Sequence, residues 1–134
     1  MTASLIYNLP IHDGNWTSMA LWGRNRSLQS GNVGNAYLLE STLRFCNKNN
    51  AWLRMENVDR TTELLSNPSS LPPDAYFSRL QAYTVGYDRE FGHIPHVSSA
   101  FGGQITWYGV PSALRSDYDT HPFGALVFLR LRAH

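Results

Sequence analysis

A chain of 134 residues is long enough to bury a core of its own, and its single cysteine excludes an internal disulfide framework. The formal net charge is +1 and only 16% of residues are charged, so no long-range field exists to gather nucleic acid or an anionic surface. Hydrophobic residues make up 43% and aromatic residues 13%, a composition suited to large contact surfaces.

Lys48 is the only lysine; every other basic residue is arginine, whose planar guanidinium suits hydrogen-bonded pairing in interfaces. Cys46 stands alone, which favours a reducing compartment. The first residues, MTASLIYNLPIHDG, contain neither a basic segment nor an apolar one of signal-peptide length. No apolar run reaches the roughly 20 residues of a membrane helix, and the longest candidate, GALVFLRL, carries Arg130. These features predict a soluble protein without signal peptide or membrane insertion, cytoplasmic or assembled into a particle. Asn15-Trp16-Thr17 and Asn25-Arg26-Ser27 match the glycosylation pattern by coincidence in such a protein.

In chain order, residues 4 to 9 read as a first strand, ended by Pro10 and the turn residues His12, Asp13 and Gly14. Asn15 to Trp22 reads as a second, with Trp16, Ser18, Ala20 and Trp22 on one face and Thr17, Met19 and Leu21 on the other. Gly23 to Gly34, rich in Gly, Asn and Ser, reads as a loop.

The strongest local signal follows in Asn35 to Asp59. Leu39, Ser41, Leu43 and Phe45 alternate with Glu40, Thr42, Arg44 and Cys46, and later Leu53 and Met55 alternate with Arg54 and Glu56, with an Asn-rich turn between. An even loop would place Leu43 opposite Arg54, so an odd loop is required to keep one face apolar. A three-residue loop at 48–50, with an asparagine in the left-handed conformation, pairs Phe45 with Leu53, Leu43 with Met55 and Thr42 with Glu56. The apolar face is then the core face.

Beyond the hairpin, Thr61 to Leu65 fits one helical turn capped by Asp59, and Asn67 to Pro73 is a connection. Residues 73–83 fit either a short helix or an extended entry to a strand beginning near Leu80. By composition, 88–103 is a long loop. Gln104 to Val110 is a strand, Ser112 to Pro122 a loop, and Gly124 to Arg132 a last strand with Ala125, Val127, Leu129 and Leu131 on one face. Short strands between Gly, Pro and Asn loops, without βαβ alternation, predict an all-β, mainly antiparallel fold. The specific expectation is a single-domain β-sandwich or jelly-roll-like barrel over 1–134, with at most one short helix.

Candidate chemistry is sparse. His93 and His96 are three apart, but Pro95 breaks the helix that would organise such a pair, and no third ligand is fixed nearby. Asp117, Asp119 and His121 alternate ligand atoms without the glycine and terminal glutamate of a calcium loop. Ser98 and Ser99 near His96 and Asp88 lack a nucleophile elbow. Gly102-Gly103 lacks the helix a phosphate loop needs, and Arg24, Arg26, Arg130 and Arg132 lack the interleaved aromatics of single-strand binders. The expectation is therefore no metal, no cofactor and no nucleic-acid partner.

The aromatic residues carry the remaining functional signal, because more of them exist than one small core hides. The leading expectation is a non-enzymatic structural or assembly protein, a self-associating subunit of a virion or tail-like particle. Its interface residues are Trp16, Trp22, Phe128, Arg130 and Arg132. The alternative is a carbohydrate-binding, lectin-like module using Trp107, Tyr108, Tyr87, Asp117, Asp119, His93 and His96. A small hydrolase around His93 and His96 is the weaker third reading.

Overall fold

The computed structural model describes residues 1–26, 33–61, 77–94, 97–110 and 122–133. They form seven strands: β1 (Thr2–Ile11), β2 (Gly14–Arg26), β3 (Val33–Phe45), β4 (Asn49–Thr61), β5 (Phe77–Ile94), β6 (Val97–Gly109) and β7 (Phe123–Ala133). Every strand pairs antiparallel with its sequence neighbours, so the order across the sheet is β1 to β7. The all-β, antiparallel character read from the sequence is what the chain shows. Its described strands make one continuous meander, with β1 and β7 as unjoined edges. No helix occurs among the described residues, and so none is long and apolar enough to cross a membrane.

The central hairpin keeps the expected odd loop but not the expected register. Residues 46–48 form the turn, with Cys46 and Asn47 both at positive φ (50° and 57°), the conformation that asparagine tolerates best among non-glycine residues. Phe45 therefore pairs with Asn49, Leu43 with Ala51, Thr42 with Trp52, Ser41 with Leu53 and Leu39 with Met55. Sliding an odd loop by two residues leaves every side chain on its original face, so the apolar pattern cannot choose among odd loops.

Three other expectations are corrected. Residues 88–103 are not a long loop: β5 and β6 run through them as a hairpin with only 95–96 between, and a register shift between Phe91 and His93. Asp59 is not a helix cap but a β4 residue that accepts from the Asn35 amide at 2.9 Å and from Arg79 Nε at 3.0 Å. The ambiguous stretch before Leu80 is strand from Phe77 onward. Residues 62–65, the 67–73 connection and the 112–121 loop lie outside the described residues.

Connection lengths differ between the two ends of the sheet. At one end β1–β2, β3–β4 and β5–β6 are joined by two or three residues, and at the other the connections are 27–32, 62–76 and 110–122. The short tips are tied to their neighbours: Asn47 N donates to Asp13 O at 2.9 Å and Glu90 N to Lys48 O at 2.7 Å.

Directly paired residues share a face, so rows can be traced across all seven strands. One row runs Leu9, Trp16, Leu43, Ala51, Tyr87, Gly103, Val127, and another Leu5, Ala20, Leu39, Met55, Tyr83, Trp107, Phe123. The first row lies two residues from the short-turn end of β1 and six from that of β7, a stagger of four residues. Such a stagger tilts strands relative to the axis about which a sheet curls, as in the wall of a barrel.

Candidate functional site

The two faces of the sheet differ in chemistry. The rows just traced belong to a face that also carries Tyr7, Tyr37, Leu53, Val85, Phe101, Ile105, Leu129 and Leu131. These side chains are exposed: Val127 is 67% accessible, Leu5 72% and Phe123 70%. The face predicted to be a core is thus bare, and among the described residues the buried apolar ones are only Ala82 and Ala100, on the other face, and Val110, just past the end of β6.

That other face is concave. Along β5, Ala82, Gly86 and Asp88 are buried while Tyr83, Val85 and Tyr87 between them are exposed. Trp52 of β4 and Phe128 of β7 stand three strands apart, roughly 14 Å on a flat sheet, yet their ring centroids are 6.0 Å from each other. The two rings lean toward each other over Gly86 and Gly102, and a cavity lined from β3 to β7 on this side marks the face as concave. The Trp52 ring lies across Gly86, where a Cβ would collide with it, and Gly102 is needed where a Cβ would stand 2.7 Å from Tyr87 O.

The concavity, of about 730 Å³, is polar and lined from β3 to β7. Among described side chains this face carries Glu40, Glu56, Asp88 and Glu90 against Arg44, Arg54, Arg130 and Arg132, a balanced set, and all but Arg44 and Glu90 line the concavity. Arg54 bridges Glu56 and, at 3.6 Å, Glu40. Asp88 is 1% exposed and is satisfied by Asn50 Nδ2 at 2.7 Å and by Arg130 at 3.0 Å. Glu90 lies 3.7 Å from Arg130 and 3.6 Å from Arg44. Thr84 and Thr106 share a hydroxyl hydrogen bond of 2.8 Å.

The convex face is apolar in a band with polar ends. On β5 the outward residues between Arg79 and Arg89 are Gln81, Tyr83, Val85 and Tyr87. At the end with the longer connections Arg24, Asn35, Asp59 and Arg79 form a polar row. Partial burial opposes the charged form of Asp59, but hydrogen bonds from Arg79 and Asn35 outweigh it and hold the carboxyl below its ordinary range; Arg79 is raised in turn by Asp59. Within the band the hydroxyls of Ser18 and Ser41 satisfy each other at 3.0 Å, and Trp16 Nε1 donates to Ser41 at 2.8 Å. Small Ala20 among larger neighbours leaves a groove of about 530 Å³ bordered by Leu5, Trp22, Leu39, Met55 and Tyr83.

The residues singled out from sequence are divided by this geometry. Trp16, Trp22, Tyr87 and Trp107 lie on the convex face, whereas Tyr108, Phe128, Arg130 and Arg132 lie on the concave one. Arg130 is engaged by Asp88 and Glu90 within the chain. His93 is a backbone member of β5, and His96, Asp117, Asp119 and His121 lie outside the described residues. Ser99 donates to Phe91 O at 2.5 Å and is on the face opposite Asp88, so these two do not meet. Among the described residues no three His, Cys, Asp or Glu side chains gather where they could hold a metal ion. Sequence reasoning missed Trp52, Asp88 and Asn50 as members of the concave site; the signal was the charge alternating with apolar residues in both arms of the central hairpin.

No family model, curated protein or solved structure matches this chain.

Proposed function

We propose that this chain is a non-enzymatic structural protein that forms the wall of a membrane-spanning β-barrel, with lipid hydrocarbon against its convex face and water against its concave one. The observation that carries this reading is the inversion of chemistry relative to curvature: a curled sheet whose inner face is charged and whose outer face is apolar. A soluble barrel or sandwich puts its apolar residues inside. Covering the bare face with a second copy, as a particle subunit would require, meets a geometric obstacle, since two convex faces touch along a line. Lipid conforms to a convex surface.

The dimensions agree. The ten-residue step from Arg79 to Arg89 spans about 34 Å along the strand, or about 24 Å at a 45° tilt, close to the apolar band of a transmembrane barrel. Short turns at one end and longer connections at the other are also the pattern of such walls. The expectation of no membrane partner rested on the lack of a 20-residue apolar run. That criterion detects helices; membrane strands need only about 10 residues of alternation.

The test uses single-tryptophan variants refolded into liposomes of brominated phosphatidylcholine, with β-structure verified by circular dichroism. Trp16, Trp22 and Trp107 on the convex face are expected to be quenched by the bromolipid, and Trp52 to be quenched by aqueous acrylamide instead. A folded protein whose convex tryptophans escape bromolipid overturns the reading.

A further inference from the structure

The strongest unmet requirement is at the edges of the sheet, and its resolution rests on the membrane reading above. In hydrocarbon no water satisfies backbone N–H and C=O groups, so a sheet with free edges is not a stable spanning structure. Here β1 and β7 are both edges, ten and 11 residues long, and no pairing joins them. Six successive antiparallel pairings separate them, and an even number of reversals leaves β1 and β7 running in the same direction.

We infer that the wall is completed by an odd number of additional strands, from outside the described residues, with those that border β1 and β7 running antiparallel to them. The parity excludes the simpler closures as antiparallel ones. Bending β7 round to β1 makes a parallel joint. A ring of identical copies, all facing the same side of the membrane, places β7 of one against β1 of the next, again in parallel. Alternating copies upside down restores antiparallel joints but puts the short turns of one copy beside the long connections of its neighbour, on both sides of the bilayer. One further strand, or three, avoids all of these.

The chemistry of the missing partner follows from the edges it joins. β1 presents Leu5, Tyr7 and Leu9 outward, and β7 presents Ala125, Val127 and Leu129 outward with Phe128 and Arg130 inward. The partner is therefore a strand of about 9–11 residues with apolar side chains facing lipid alternating with polar ones facing the lumen.

The probe is a synthetic peptide with the sequence of residues 97–109, which already pairs antiparallel with β7 on its inner edge. It is added during refolding of the chain into liposomes, and backbone hydrogen exchange of β1 and β7 is followed. A second sample carries Cys46→Ser with Leu5→Cys and Val127→Cys and is treated with a short bismaleimide. The inference expects the peptide to slow exchange at the outer amides of β7 by about tenfold or more, with no copy-to-copy cross-link. A cross-linked ladder through Leu5→Cys and Val127→Cys, or unchanged exchange with the peptide, overturns it. Bromolipid quenching in the same liposomes reports the membrane reading separately, so failure of one is distinguishable from failure of the other.

Discussion

Trp52 and Phe128 meet across the two strands that separate β4 from β7, with ring planes inclined by 39° and centroids 6.0 Å apart. They meet because β5 offers Gly86 beneath the indole and β6 offers Gly102 opposite Phe128. The pair couples the curvature of the sheet to two side chains. Phe128→Ala is expected to lower stability by about 1–3 kcal/mol, and a double-mutant cycle with Trp52→Ala to give a coupling of about 0.5–1.5 kcal/mol. Urea unfolding from detergent micelles measures both; a coupling of zero refutes the contact.

Asp88 is the most buried charge in the described structure, and Arg130 and Asn50 are its partners. Arg130→Met leaves the carboxylate with one neutral donor, at an expected cost of about 1–3 kcal/mol. Adding Asp88→Asn should recover part of that loss, because it removes the unpaired charge that the first change creates. Equal instability of the single and double variants argues against the pair.

Leu39 sits midway along the convex band, two rows from the Arg24–Asn35 end, and is 45% exposed. If the convex face meets lipid as proposed, Leu39→Arg places a charge at its centre and is expected to weaken insertion by about 2–4 kcal/mol. Gln104→Arg, at similar depth on the concave face, should insert nearly normally. Flotation of refolded protein with liposomes compares the two, and equal flotation contradicts the assignment of faces.

The register of the central hairpin can be read by disulfide formation. In a Cys46→Ser background, Leu43→Cys with Ala51→Cys brings directly paired positions together and should oxidise readily. Leu43→Cys with Met55→Cys, the pairing that the apolar pattern first suggested, should remain reduced. Reversed yields on non-reducing gels overturn the register.

Asp59 has its carboxyl lowered by Arg79 and Asn35 against the opposing effect of burial. A depressed carboxylate contributes stability that is fully present above its unfolded value and is lost as pH falls through the folded one. The loss therefore lies on the acid side of about pH 4. Because Arg79 is largely exposed, solvent screening keeps the contribution small. Asp59→Asn should flatten the decline on the acid side of about pH 4; an unchanged acid profile refutes the role.

Strand identity was legible in Leu39 to Phe45, where the side chains alternate, and in Asn15 to Trp22 and Gly124 to Arg132, short runs bounded by turn residues, because a two-residue period requires only local geometry. The grouping of Trp16, Ser18, Ala20 and Trp22 on one face, and of Ala125, Val127, Leu129 and Leu131 on another, came from the same period. The parity of the hairpin loop was legible too, since an even loop would mix Leu43 with Arg54. Which odd loop forms was not, because a two-residue slide preserves both faces and the choice falls to the turn at Cys46 and Asn47 and to the β4–β5 pairing. Residues 88–103 looked like a loop because Gly, Pro and Ser are common there; Gly102 is instead a strand residue beside Asp88. Alternation names two faces without saying which one is inside. Only the curl of the sheet, around the cavity lined from β3 to β7, puts the charges within and leaves Leu5, Leu39 and Val127 facing out. The reason is that curvature is a property of seven paired strands together, which no window of sequence contains.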